Sequence, residues 1–282
     1  MRRRRLIISI DVERDIPRFF RDSYVGVAEV LASLLDELLS LGFVADMFVE
    51  TQVLRSFPDL LRRARARGHF LGTHGWHVEP RLATELEDDE MRERLLEGRD
   101  EFRNAFGSSP MAFREANFAV DSRLVRMLPK FEYLVDSSVL PNRRIRRHRL
   151  KTVVDHRGCP TEPYRPALDD YRKRGNSLIL EIPVTENPLK PNTPLGTGSL
   201  NEGGVEATLA GLRATQCDPV TFLIHPWECI DLAAIRPDLP EWVLKISHKN
   251  AANIRILFDG MAKEFVPSSL TEVAEQHGVN LR

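Results

Sequence analysis

The sequence has only three cysteines, Cys159, Cys217 and Cys229, widely spaced and without a CxxC pair. Neither a disulfide framework nor a cysteine-rich zinc site is therefore expected. Long apolar runs are also missing. The stretch Val25–Leu41 carries Glu29, Asp36 and Glu37, whereas a membrane-spanning helix needs about 20 mostly apolar residues. The arginines at 2–5 are followed only by the short run Leu6–Ile10 before Asp11, less than the roughly 7–15 residues of a secretory signal core. Neither sign of charge is in excess: 40 Lys and Arg face 41 Asp and Glu, for a formal charge of −1. No global field draws the chain to nucleic acid or an anionic surface, and partners must be sought locally. The expected location is the cytosol, with a peripheral place at the inner membrane surface compatible with it. No internal repeat, low-complexity segment or long linker divides the chain, so one catalytic domain over 1–282 is expected.

What is present is an alternation of short apolar strands and amphipathic helices. Leu6–Ile10 reads as a strand and Val25–Leu41 as a helix stopped by Gly42. Strands are predicted at 43–49, 68–73, 111–113, 132–135, 177–184 and 220–224, and helices at 57–67, 83–106, 122–128, 205–215 and 250–265. Helical crossovers between short strands indicate an α/β fold with a mostly parallel sheet, either a barrel or an open sheet. The stretch 141–176 breaks the rhythm with Pro, Gly, Arg and Lys and is read as an irregular excursion with a hairpin near Thr152–His156.

In parallel α/β folds chemistry gathers where strands end. Four such places stand out: Asp11 and Glu13 after Ile10, His74 and His77 after Leu71, Arg114 after Phe113, and His225 after Ile224. A carboxylate pair and two histidines could supply the three protein ligands of an open Zn2+ site, with another carboxylate left to take a proton. Each element alone has an ordinary explanation as a cap, a loop residue or a core histidine. Their coincidence at four strand ends is harder to explain by chance.

These segments resemble, in order, the motifs of the polysaccharide deacetylase family, also known for NodB homology or as carbohydrate esterase family four. Ser9-Ile-Asp-Val-Glu13 resembles the first motif, Gly68–His77 the second, Phe113-Arg114 with Asn117-Phe118 the third, and Leu223-Ile-His-Pro-Trp227 the last. The resemblance implies an irregular (β/α) barrel, Asp11 as catalytic base, Arg114 as its orienting partner and His225 as general acid. It further implies a divalent metal, Zn2+ or alternatively Co2+, on Glu13, His74 and His77. Trp76, Asp136 and Trp227 are the expected substrate-binding residues. The DVE form of the first motif is similar to that of deacetylases associated with bacterial exopolysaccharide and cell-envelope synthesis. Three positions depart from the pattern: the histidines stand three apart instead of four, Glu115-Ala116 replaces the Pro after the Arg, and Glu13 replaces an Asp.

The expected activity is metal-dependent hydrolysis of an N-acyl group, typically N-acetyl, on an amino sugar in a glycan or its nucleotide- or lipid-linked precursor. A small-amide or formamide hydrolase and a non-catalytic carbohydrate-binding relative remain alternatives. A glycosidase does not fit, because carboxylates two apart leaving one strand do not flank a glycosidic bond. The basic run Arg143, Arg144, Arg146, Arg147, His148, Arg149 and Lys151 is either a solvated loop or a local grip on phosphate.

Overall fold

Strand β1 (Arg5–Val12) is flanked on both sides by parallel partners, β2 (Ala45–Glu50) and β9 (Val220–Ile224). The computed structural model of the chain describes residues 3–17, 19–20, 22–75, 81–147, 151–244 and 251–281. In chain order the other strands are β3 (Phe70–His74), β4 (Ala112–Arg114), β5 (Val135–Asp136), β6 (Arg144–Arg147), β7 (Lys151–Asp155), β8 (Leu180–Glu181) and β10 (Val266–Ser268). The helices are α1 (Leu31–Ser40), α2 (Thr51–Ser56), α3 (Pro58–Ala66), α4 (Asp88–Phe106), α5 (Ser122–Met127), α6 (Thr197–Ala214), α7 (Leu232–Ile235), α8 (Glu241–Leu244), α9 (Ala251–Glu264) and α10 (Leu270–Gln276). The main sheet runs β10-β1-β2-β3-β4-β5-β8, with β9 also on β1, and every pairing in it is parallel.

Residue alternation explains why this sheet curls into a barrel. In β1 the even positions Leu6, Ile8, Ile10 and Val12 pack with α1 and α9 residues such as Leu31, Leu35, Leu257 and Phe258. Ile7 on the opposite face joins Phe48, Ala112, Val135, Leu180 and Ile182 inside the barrel. Leu270, Val273 and Ala274 of α10 close the bottom of that interior. Between β8 and β9 single hydrogen bonds replace a ladder: Thr221 N–H donates to Thr185 Oγ1 (2.9 Å), Leu195 N–H to the Thr185 carbonyl (2.9 Å) and Leu223 N–H to the Leu195 carbonyl (2.9 Å). The result is the irregular (β/α) barrel that was expected.

Several local expectations shift. The region expected to be one helix at 57–67 is two, α2 and α3, parted at Phe57, with Pro58 opening the second. The helix predicted from Val205 is the second half of α6, which starts at Thr197 and bends at Gly204 (φ 75°). The hairpin in the excursion pairs Arg144–Arg147 with Lys151–Asp155, earlier than expected. β10 and α10 were not anticipated, although Ser269 and Glu272 spell a capping box: Ser269 Oγ accepts from Glu272 N–H at 3.2 Å and Glu272 Oε2 from Ser269 N–H at 3.3 Å. Among the described residues no helix is long and apolar enough to cross a membrane.

Asp46 ties α10 to the sheet and makes stability depend on pH. It is fully buried, its Oδ2 accepts from Leu270 N–H at 2.7 Å, and its Oδ1 has no hydrogen-bond partner. Burial pushes its pKa up to about 7, against the opposing pull of that hydrogen bond and of Arg114. The unfolded value is about 3.9, so the folded state keeps a proton the unfolded chain releases. This contribution is complete below pH ~3.9 and lost as pH rises through ~7. Asp46→Asn should therefore unfold at nearly the same denaturant concentration as wild type at pH 4 and at a higher one at pH 8. A gap that does not change with pH would refute this.

Candidate active site

The upper ends of β1, β3, β4 and β9 converge on one cleft of about 480 Å3, lined by Asp11, Glu13, His74, Glu115, His225, Trp227 and Glu228 among others. The same alternation that fills the barrel below builds this layer above. Ser9 and Asp11 share the inward face of β1, and both accept from Arg114 Nη1 at 2.7 Å.

Arg114 is the most enclosed charge here, 1 % exposed. Its Nε donates to the Ser137 carbonyl (2.8 Å), its Nη2 to Ser137 Oγ (2.7 Å), and its guanidinium lies 4.1 Å over the Phe48 ring. Four of its five N–H donors are therefore used, and Asp11 is locked in one orientation.

His74 follows directly in register, paired with Glu50 of β2 and Arg114 of β4. Its Nδ1 lies 2.9 Å from the Arg114 carbonyl, and its Nε2 lies 3.4 Å from Glu13 Oε2. Burial opposes its positive charge, but Asp11 and Glu13 outweigh burial and raise its pKa to about 9. Trp227 N–H donates to Glu13 Oε1 at 3.3 Å, so the indole positions this carboxylate besides lining the cleft.

His225 stands opposite Asp11. Its Nε2 is 3.7 Å from Asp11 Oδ2 and 3.7 Å from Glu13 Oε1, while its Nδ1 is 3.1 Å from Glu228 Oε2. Thr197 Oγ1 donates to that same Glu228 oxygen and accepts from His225 N–H at 3.2 Å. Burial acts to neutralise His225; Glu228, then Glu13 and Asp11, reverse this and raise its pKa to about 9. The loop carrying His225 rests on the turn Gly26–Val30 that leads into α1 so closely that a Cβ on Gly26 would lie 2.5 Å from Trp227 N, which is why glycine stands there.

Asp11, Glu13, His74, Arg114, His225 and Trp227 are thus brought together. Asp136, expected at the pocket, is instead fully buried in β5 beside Glu181, its carboxylate accepting from Ser138 Oγ, and it does not line the cleft. Trp76 and His77 lie outside the described residues. Among the described residues, no group of three or more His, Cys, Asp or Glu has the arrangement of a metal site. Four positions were not singled out beforehand: Ser9 and Ser137, which hold Arg114, and Glu228 and Thr197, which hold His225. The Glu three residues after His225 was the one legible hint. Glu115, in the place of the usual proline, lines the cleft; burial raises its pKa to about 8, partly offset by His74.

Comparison with known proteins places this geometry. The sequence model of the polysaccharide deacetylase family matches residues 17–135, a span that includes His74 and Arg114. No curated protein sequence matches the chain. Among solved structures, a Mycobacterium smegmatis protein assigned to the polysaccharide deacetylases is 16% identical, with a TM-score of 0.61 over 98% of this chain and 92% of that one. The peptidoglycan deacetylase PdaC from Bacillus subtilis is 12% identical, with a TM-score of 0.54 over 98% and 92%. A family 4 carbohydrate esterase from Streptomyces lividans, in complex with acetate, is 14% identical, with a TM-score of 0.53 over 95% and 93%. At these identities the structural likeness speaks for the fold alone, over nearly the whole chain. Residues 17–135, with the second and third motifs, are thus similar to the polysaccharide deacetylase family, and nearly the whole chain shares the fold of these structures, with the remaining motifs gathered in the same cleft.

Proposed function

We propose that the chain removes the N-acetyl group from an amino sugar in a glycan or its nucleotide- or lipid-linked precursor, using a divalent metal held by Glu13, His74 and His77. The observation that carries the reading is the Asp11 carboxylate, one oxygen held by Arg114 at 2.7 Å and the other facing His225 at 3.7 Å. A base with its orienter and an acid with its own carboxylate share one cleft, which a binding protein would not need.

The described donors suit a metal. Two ligands each about 2.1 Å from a tetrahedral ion stand about 3.4 Å apart, and Glu13 Oε2 and His74 Nε2 are separated by 3.4 Å. The Arg114 carbonyl at His74 Nδ1 is the kind of partner that orients a ligating imidazole. When bound, a divalent ion such as Zn2+ or Co2+ supplies Lewis acidity, acidifying a water and polarising the acyl carbonyl.

Asp11 takes the proton of the attacking water, held in place by Arg114. His225, kept cationic by Glu228, gives its proton to the nitrogen as the carbon–nitrogen bond breaks, and acetate and the free amine leave. Trp227 fixes the Glu13 carboxylate during turnover and lines the cleft that receives the sugar. The cleft, about 480 Å3, lies in the range of small-ligand sites.

The test is metal content of the purified protein together with acetate release from N-acetylated sugars, before and after chelation. About one ion per chain is expected, with release lost on chelation and restored by Zn2+ or Co2+. Acetate release that persists unchanged after the metal is stripped would overturn the metal-dependent reading. No release from any N-acetylated sugar would overturn the deacetylase reading itself.

A further inference from the structure

The cleft does not end at His225; it continues past Asn117 and Phe118 to Arg143 and Lys190. We propose that Arg143 forms an anion subsite in this cleft, so that the N-acyl sugar processed here carries an acidic substituent, a phosphate or a carboxylate. The inference rests on the deacetylase reading above and narrows its substrate class.

Among the described residues, Arg143 has no carboxylate within ion-pairing distance. Its Nε is buried without a hydrogen-bond partner, and its Nη1 donates only to the Asn192 carbonyl, at 2.9 Å. Its guanidinium carbon lies 5.8 Å from the centre of the Phe118 ring. Burial lowers its pKa from the ordinary arginine value, and no neighbouring charge contributes. Arg143 is half-buried, and a cation partly withdrawn from water without a counter-ion carries a desolvation cost of the kind found at functional positions.

Nearby acids are committed elsewhere. Glu186 accepts from Asn142 Nδ2 at 2.7 Å and from Asn192 N–H at 2.7 Å, and Glu202 pairs with Lys190. Asn142 and Asn192 both adopt left-handed backbone, φ 65° and 66°, a conformation that asparagine tolerates better than most residues. The Glu186 carboxylate therefore clamps the turn that bears Arg143 to the turn that supplies its one acceptor, and the guanidinium is set before any ligand arrives. The rest of the basic run is engaged differently: Arg147 pairs with Glu85 at 2.9 Å and Arg144 Nη2 donates to Thr152 Oγ1 at 3.2 Å. Of its described members, only Arg143 lines the cleft.

Asp11, Glu13, Glu115 and Glu228 line the cleft beside the reacting groups; Arg143 and the ion pair of Lys190 with Glu202 line it farther on. An N-acyl sugar whose acyl group lies at the reacting end and whose anionic substituent reaches past Phe118 meets Arg143, so the guanidinium favours that orientation. A guanidinium suits phosphate or carboxylate oxygens equally as a class.

The metal-loaded enzyme should be assayed on N-acetylglucosamine, N-acetylglucosamine 1-phosphate and N-acetylglucosaminuronic acid. Wild type is expected to prefer one acidic sugar over the neutral one by about tenfold or more in kcat/KM, and which one identifies the anion. Arg143→Gln should shrink that preference about tenfold, mainly through KM, while Arg143→Lys keeps part of it. Equal kcat/KM for neutral and acidic sugars in wild type, or an equal loss on both in Arg143→Gln, would overturn the subsite. If Arg143→Gln does not fold, the wild-type preference and the Lys variant decide. Should no sugar release acetate, the deacetylase reading fails separately. Calorimetric binding of N-acetylglucosamine 1-phosphate then decides the subsite: affinity about tenfold weaker in Arg143→Gln supports it, and equal affinity overturns it.

Discussion

Asp11→Asn should lower kcat by about a thousandfold, within the range that a positioned general base contributes, and leave the bound metal in place. The substitution is nearly isosteric, and the amide oxygen it introduces can still accept from Arg114 Nη1, which lies 2.7 Å from Asp11 Oδ1. What is lost is the ability to take a proton. Because Asp11 is 3 % exposed and already locked by Arg114, the fold and the Glu13–His74 pair are expected to survive. The measurements are steady-state acetate release, metal content and thermal unfolding of the same preparation. Activity within a few-fold of wild type would remove Asp11 from the base role and point to Glu115, another buried carboxylate lining the cleft.

The second large effect is expected at Arg114, where catalysis and stability meet. Arg114→Met removes the cation beside Asp11 and the one charge that offsets part of the upward push that burial gives the carboxyls of Asp136 and Glu181, both fully or nearly fully buried. Breaking a buried ion pair from one side costs about 3–5 kcal/mol, a large part of the roughly 5–15 kcal/mol that holds a typical domain together. Arg114→Lys keeps the charge but cannot reproduce the fork that binds Ser9, Asp11 and both Ser137 oxygens. It should therefore unfold in denaturant closer to wild type than the Met variant does, yet lose about a hundredfold or more in kcat because Asp11 is no longer fixed. A Met variant as stable as wild type would refute the structural half of this account. A Lys variant with normal kcat would refute the orienting half.

How far the sequence reveals this site depends on the range of the interaction. Strand β1 is legible because its information is local: in Leu6–Glu13 the side chains alternate, so Ser9, Asp11 and Glu13 must share a face whatever lies around them. The strand-end positions of His74, Arg114 and His225 follow the same way from short apolar runs. Asp136 shows the limit. It too follows an apolar run, but β5 is paired only through Val135 and Asp136 and lies between β4 and β8, so its side chain is enclosed beside Glu181 instead of reaching the cleft. Nothing within a few residues of Asp136 encodes that neighbour.

The same holds for Arg143. In the sequence it is the first of a basic cluster and indistinguishable from the rest; in the fold, Glu186 joins its turn to the turn at Asn192 and directs it to the cleft, while Arg147 is drawn to Glu85. Glu228 sits close to His225 in the chain, yet its task becomes visible only when Thr197, 31 residues away, is seen holding the same carboxylate. By itself the sequence determined the α/β alternation, the parallel sheet and the chemical identity of the strand-end groups, because these rest on periodicity and on residue type. The tertiary structure decided which remote groups meet, Asp11 with Arg114, His225 with Glu228 and Thr197, and Arg143 with the cleft. Sheet order, barrel closure and competition among partners for each charge are properties of the whole packed chain, and no local stretch encodes them.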